Sequence, residues 1–172
     1  MKQIFLFLTG VLIAATGCGL GDTCAESIFT FNGMGPTVVL DKSEGADPYM
    51  PTEEIAGPFH VLANYDYTIE TLSSGDVPCS EEFVGSVIES TITISVNKSI
   101  EFNGEELLAG DNLLLLDEVT LIHFDVNGLT IDFGQDFIDK SQFQEKDHEW
   151  TLEFEADNGI FASEKFNLLM MI

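Results

Sequence analysis

Asp41, Ser43, Gly45 and Asp47 stand at alternating positions in an acidic stretch, a spacing that lets side-chain oxygens converge on one cation. A hard ion such as calcium takes about six to eight oxygens, and Glu44, Glu53 and Glu54 are near enough in sequence to complete a shell. Asp41, Ser43 and Asp47 are therefore the candidate calcium ligands. The match to an EF-hand loop is partial, because Gly45 is misplaced and no Glu holds the last position. The three histidines are His60, His123 and His148, and the last two have acidic residues within two positions. His148, in Asp147-His148-Glu149, could offer nitrogen and carboxylate to zinc or copper, but no second His stands at ligand spacing. A solvated loop is the expectation there.

Nucleophilic chemistry finds no support. There is no Gly-x-Ser-x-Gly, and no cysteine is left over to pair with a histidine once the three are assigned below. The chain has 30 Asp and Glu, yet no context singles out two of them as an acid/base pair for glycoside hydrolysis. The glycine-rich Gly17-Cys18-Gly19-Leu20-Gly21 follows an apolar leader, not a strand, so it is no phosphate loop. No catalytic motif is found, and the expectation is a protein that is not an enzyme and carries no cofactor beyond the calcium considered above.

The N-terminus carries the clearest signal. Lys2 precedes an almost wholly apolar run over residues 4–15, which ends in the small residues Ala15, Thr16 and Gly17. A charged start, an apolar middle and a small-residue exit make a secretory signal. The run is too short to span a bilayer, which needs roughly 20 apolar residues. Ala15-Thr16-Gly17-Cys18 resembles the lipobox of bacterial lipoproteins, with Ala15 where Leu is commonest. That resemblance implies cleavage before Cys18, acylation of its sulfur and a mature chain tied to a bacterial membrane through lipid, facing periplasm or exterior. Residues 1–17 then form the signal peptide, 18–26 a lipid-anchored tether and 27–172 a single domain. An ordinary secretory signal cut near Gly17 or Gly21 is the plainer alternative.

Loss of Lys2 with the signal takes the formal charge from −24 to −25, since every Asp and Glu lies after Cys18. Five Lys and no Arg remain. Such a surface repels phosphate backbones and excludes nucleic acid as a partner. It also repels anionic headgroups, so the polypeptide should stand off the membrane that its lipid holds. With Cys18 acylated, Cys24 and Cys79 form an even pair in an oxidising compartment, where a disulfide is expected. The chain-entropy value of a loop of that size is about 4 kcal/mol.

These residues must be positioned by strands. Short alternating runs rich in Phe, Ile, Val and Thr are separated by Gly, Asn, Asp and Pro. Strands are predicted at 27–31, 37–40, 59–72, 83–88, 91–102, 113–116, 119–126, 129–133, 149–156 and 160–171, with a break near Asn64 and a helical turn within 136–143. Asn127-Gly128 predicts a two-residue hairpin that pairs Val126 with Leu129, Phe124 with Ile131 and Ile122 with Phe133, and sets His123 beside Asp132. At Asp157-Asn158-Gly159 a three-residue loop with Gly159 left-handed would pair Trp150 with Phe166 and Phe154 with Ala162. A tight turn at Asn103-Gly104 would set Glu101 across from Glu106, and like charges directly opposite are unfavourable. That predicts a longer loop there, or a cation between the two. Asn97-Lys98-Ser99 fits a glycosylation sequon that a bacterial host would leave idle.

The fold expected is an all-β antiparallel two-sheet sandwich, immunoglobulin-like, with a lipocalin-like barrel as the alternative. The function expected is a lipoprotein binding or adhesion module for a protein or carbohydrate outside the cytoplasm. The alternative is a carrier of a small apolar ligand, against which the chain lacks a lipocalin Gly-x-Trp near its first strand.

Overall fold

The computed structural model describes residues 24–42, 48, 53–73 and 77–172, with backbone alone at 24, 25, 73 and 77–80. Its strands are β1 (Cys24–Asp41), β2 (Glu54–Ile55), β3 (Phe59–Ser73), β4 (Val77–Val84), β5 (Thr93–Val96) and β6 (Ile100–Phe102). They continue as β7 (Glu105–Leu107), β8 (Val119–Phe124), β9 (Gly128–Phe133), β10 (Ser141–Gln142), β11 (Asp147–Glu155) and β12 (Phe161–Met170). One short helix, α1 (Gln135–Lys140), falls in the segment predicted to hold a helical turn. The fold is all-β with two curled sheets.

The chain divides into two compact units, Met1–Phe29 with Ile69–Phe83, and Thr30–Thr68 with Val84–Ile172. In the first, β4 lies beside the start of β1, and β1 beside the end of β3. The rings of Phe29 and Phe83 stack there at 4.8 Å, while Ile69 and Leu72 stay exposed. β1 starts at Cys24, inside the stretch read as tether, and it runs unbroken through the gap left between 31 and 37. β3 likewise passes Asn64 without the predicted break.

In the second unit one sheet runs β1-β3-β9-β8, a second runs β2-β12-β11-β5, and a small third runs β10-β6-β7. Period-two alternation explains how the two larger sheets share a core. On β11, His148, Trp150, Leu152 and Phe154 are buried, while the intervening Glu149, Thr151 and Glu153 are only half-buried. Phe59, Val61 and Ala63 of β3 and Leu129, Ile131 and Phe133 of β9 are buried in the same cluster. Phe59 stacks on Phe133 at 4.6 Å, and Trp150 meets both edge-on at 5.9 and 5.3 Å. Phe137 of α1 closes on Phe133 at 5.0 Å. Each such ring contributes about 1.5–3 kcal/mol by leaving water. Glu164, on the inward side of β12, is satisfied by Thr37 of β1, which donates through its backbone N at 3.0 Å and its Oγ1 at 2.5 Å.

The hairpin at residues 157–159 has the predicted register. Trp150 faces Phe166 and Phe154 faces Ala162, and Gly159 is left-handed at φ 82°. The predicted strand over 91–102 is instead a single-turn 3-10 helix (Glu89–Thr91) followed by β5, a turn and β6. The predicted strand over 113–116 is also a 3-10 turn, Leu113–Leu115, because the Asn112 side chain caps the Leu114 amide at 3.1 Å. That Asn112 oxygen also accepts from the Ile94 amide, so the turn covers the free edge of β5.

Candidate functional site

The residues proposed from sequence are placed unevenly. Cys18, Ser43 and Asp47 lie outside the described residues, as does the side chain of each of Cys24 and Cys79. The strands that carry those two cysteines, β1 and β4, are neighbours in the sheet. Asp41 ends β1, and Glu54 at the start of β2 holds Lys146 at 2.6 Å. Among the described residues no three His, Cys, Asp or Glu side chains converge as metal ligands, and no helix is long and apolar enough to cross a membrane.

The charged hairpin at Asn103-Gly104 departs from expectation. Asn103 and Gly104 both take positive φ, 52° and 82°, which makes the tight two-residue turn this dipeptide favours. The register sets Glu101 directly across from Glu106, and β10 adds Gln142 on the other side of Glu101. Ile100 and Phe102 point the opposite way and are buried. Glu101 and Glu106 thereby join Ser99, Ile100, Gly104 and Gln144 around a concavity of about 300 Å³. Its polar atoms come from carboxylates, a hydroxyl and an amide, so it favours cationic or hydrogen-bonding ligands over apolar ones.

The Asn127-Gly128 hairpin is present with a different register. Phe124 faces Leu129 and His123 faces Thr130, then Ile122 bulges out and Leu121 faces Ile131. Ile122 and Val126, both predicted inward, are exposed at 52% and 43%. His123 consequently pairs with Asp125 at 3.2 Å, while Asp132 receives His60 Nε2 at 3.0 Å and Lys42 Nζ at 2.7 Å on one oxygen. His60 sits opposite Asp132 in the β3–β9 register, a partner that could not be read before the strand order was known. The Asp125 carboxylate accepts from the Asn127 backbone N at 2.7 Å and the Gly128 N at 3.3 Å. Those bonds, the Asn127 backbone first, hold its carboxyl below the usual range. Nearby, Tyr67 donates to the Val126 carbonyl at 2.7 Å. The Tyr65 hydroxyl is enclosed without a partner, and burial pushes its pKa up.

His148 is not in a solvated loop. It is the one polar or charged side chain counted as buried among the described residues, 1% exposed, with its ring edge-on to Phe143 at 5.0 Å. Nε2 lies 2.9 Å from the Glu145 carbonyl, and Nδ1 has no partner. A carbonyl only accepts, so Nε2 carries the hydrogen and Nδ1 presents its lone pair. Burial drives the imidazole pKa below its ordinary value, the Glu145 carbonyl opposes that shift, and Lys98 adds to it. The sequence misread this position because Asp147-His148-Glu149 looks polar throughout; strand alternation, with His148 in phase with Trp150, was the available signal.

Among the described residues, each of the five lysines meets a carboxylate distant in sequence. Lys42 binds Asp132 at 2.7 Å, Lys98 binds Glu145 at 2.6 Å, Lys146 binds Glu54 at 2.6 Å, and Lys140 binds Glu118. Lys165 crosses to Glu149 at 2.7 Å on the outer face of β11 and β12. Lys98 holds the Glu145 carboxyl below its usual range, Lys140 does the same to Glu118, and Glu149 raises Lys165. The few cations are thus committed internally, which leaves the outward face of the chain overwhelmingly anionic. No protein-family model, curated protein or solved structure matches this chain.

Proposed function

We propose that this chain is a lipoprotein of the bacterial cell envelope, anchored at Cys18, whose acidic β domain is a non-enzymatic binding or adhesion module. Its partner would be a protein or carbohydrate of the periplasm or exterior. The observation that carries this reading is the lipobox-like Ala15-Thr16-Gly17-Cys18 placed six residues ahead of the first strand of an all-β domain. Two or three acyl chains would hold such a domain stably, at about 0.8 kcal/mol per buried CH₂. The concavity around Glu101 and Glu106 is the surface we assign to ligand contact, and its polar lining suits a sugar hydroxyl or a basic side chain.

An immunoglobulin-like sandwich fits better than a lipocalin-like carrier. The space between the sheets is occupied by Phe31, Phe59, Phe133, Phe137, Trp150 and Phe154, all 0% exposed and in ring-to-ring contact. A carrier keeps that space open and lined. We keep the Cys24–Cys79 disulfide as part of this proposal, supported by the adjacency of β1 and β4.

Labelled palmitate tests the anchor. Incorporation that disappears in Cys18→Ser, with release of the protein from the membrane fraction, is expected. Labelling that survives the substitution, or no labelling at all, would refute it. The intact mass before and after reduction reports the disulfide as a gain of two hydrogens.

A further inference from the structure

The imidazole of His148 is enclosed by the segment that precedes its own strand. Phe143, itself 7% exposed, lies against one edge of the ring, and the Glu145 carbonyl accepts from Nε2. That segment is held down from outside by four bonds. Lys98 binds the Glu145 carboxylate at 2.6 Å and the Asp147 carbonyl at 2.8 Å. Lys146 binds Glu54 of β2, and the Met170 amide donates to the Lys146 carbonyl at 2.7 Å. The charged groups around the ring are therefore Glu145, Lys146, Asp147 and Glu149 from its own chain segment and Lys98 from the β5–β6 turn. On the remaining side β12 sets the apolar Leu168 opposite His148.

We infer that His148 is a proton-operated latch on residues 143–147, closed when its ring is neutral and released when Nδ1 takes a proton from solvent. The neutral ring satisfies its only donor on Glu145. A second N–H, at Nδ1, would be a buried charged donor without an acceptor, a state that costs more than exposing the ring. The ring reaches water if the segment covering it lifts, because the other sides are strand and core. Gln144 belongs to that segment and forms part of the wall of the concavity that holds Glu101 and Glu106. Acidification would then unmake that wall before it unfolds the sheets.

Amide hydrogen exchange on the full mature chain tests this, corrected for the intrinsic pH dependence of exchange. In the open segment His148 titrates as a free imidazole, with a pKa of about 6.5. Between pH 7.5 and 5.5 the open population then rises about tenfold, and exchange at Met170, whose amide donates to the Lys146 carbonyl, accelerates by that factor. Amides at Leu152 and Ile131, in the paired centre of the sheets, keep their rates. His148→Phe keeps an aromatic ring, larger and without the bond to Glu145, and removes the titration, so its exchange should be flat across the same range. A flat wild-type profile, or the same acceleration in the variant, overturns the latch. Should the variant fail to fold, the wild-type ring decides by NMR: a midpoint at or above that of free imidazole overturns it, and a lower midpoint tracking the exchange of Met170 supports it.

Discussion

Asn103-Gly104 and Asn127-Gly128 are the same dipeptide at the tips of two hairpins, and the chain turns at each for a different reason. At the first, both residues take positive φ, and a Cβ added to Gly104 would meet nothing within 4 Å. Local preference decides that turn. It prevails although it sets Glu101 against Glu106, because a cross-strand like-charge pair costs about 0.2–1 kcal/mol while forcing ordinary residues into the left-handed region costs about 1–2 kcal/mol each. At the second tip Gly128 is not left-handed at all. A Cβ there would lie 2.3 Å from the Ala63 carbonyl oxygen, and the Tyr65 amide donates to the Asn127 carbonyl at 3.0 Å. β3 shapes this turn from the side, the Asp125 amide donates to the Gly128 carbonyl at 3.1 Å, and the Asp125 carboxylate accepts from the Asn127 and Gly128 amides. The glycine serves backbone freedom in one hairpin and close approach in the other.

Substitutions can separate the two roles. Gly128→Ala has the largest expected effect, a loss of about 3 kcal/mol in urea denaturation, because backbone and not a flexible side chain blocks the new methyl. If it costs no more than Gly104→Ala, the close approach does not shape the second turn. Asp125→Ala should come next, lowering the melting temperature by less than Gly128→Ala while leaving the β6–β7 hairpin unchanged in NMR shifts.

The same carboxylate gives a pH signature. Its folded pKa is depressed, so its contribution is complete above the unfolded value of about 3.9 and is lost as pH falls through the folded value. Asp125→Ala should therefore flatten part of the acid limb of the stability curve. This window lies well below the one in which His148, also depressed but a base, lowers stability as pH falls from about 6.5.

Gly104→Ala is expected to cost about 1 kcal/mol, from left-handed φ alone. Glu106→Gln is the smallest and carries the opposite sign, a gain of about 0.5 kcal/mol as the like-charge pair is relieved. That gain should shrink as sodium chloride is raised toward 1 M, where the screening length falls to about 3 Å. A salt-independent gain would mean that the two carboxylates do not repel across the turn.

Much of this was legible in the order of residues. The β11–β12 hairpin could be read in full because Trp150, Leu152 and Phe154 match the apolar positions of the next strand only with a three-residue loop, and the bonds its tip makes to Phe31 of β1 and to Ser86 leave that register unchanged. The β8–β9 hairpin was legible as a hairpin and not in register. Its six apolar residues make a consistent inner face on paper, but β3 packs beside Gly128 and pulls the turn inward, so Ile122 bulges and Val126 faces water. The site residues divide the same way. Glu101 and Glu106 were visible as a pair because hairpin partners are close in sequence, whereas Gln144 reaches them through β10, which no local pattern predicts. His148 was hidden by its charged neighbours, since alternation buries one residue between two exposed ones without altering the composition around it.

The sequence by itself determined the strongly anionic charge and the alternation that makes an all-β chain, and it alone carries the lipobox-like pattern ending at Cys18, because each depends on residue types or on spacing within one strand. Tertiary structure alone decided which strands lie side by side, and with them the partners of His60, Asp132 and the five lysines, the bulge at Ile122 and the enclosure of His148. Those features depend on contacts between residues far apart along the chain, where strand order and the close passage of one backbone past another outweigh local preference.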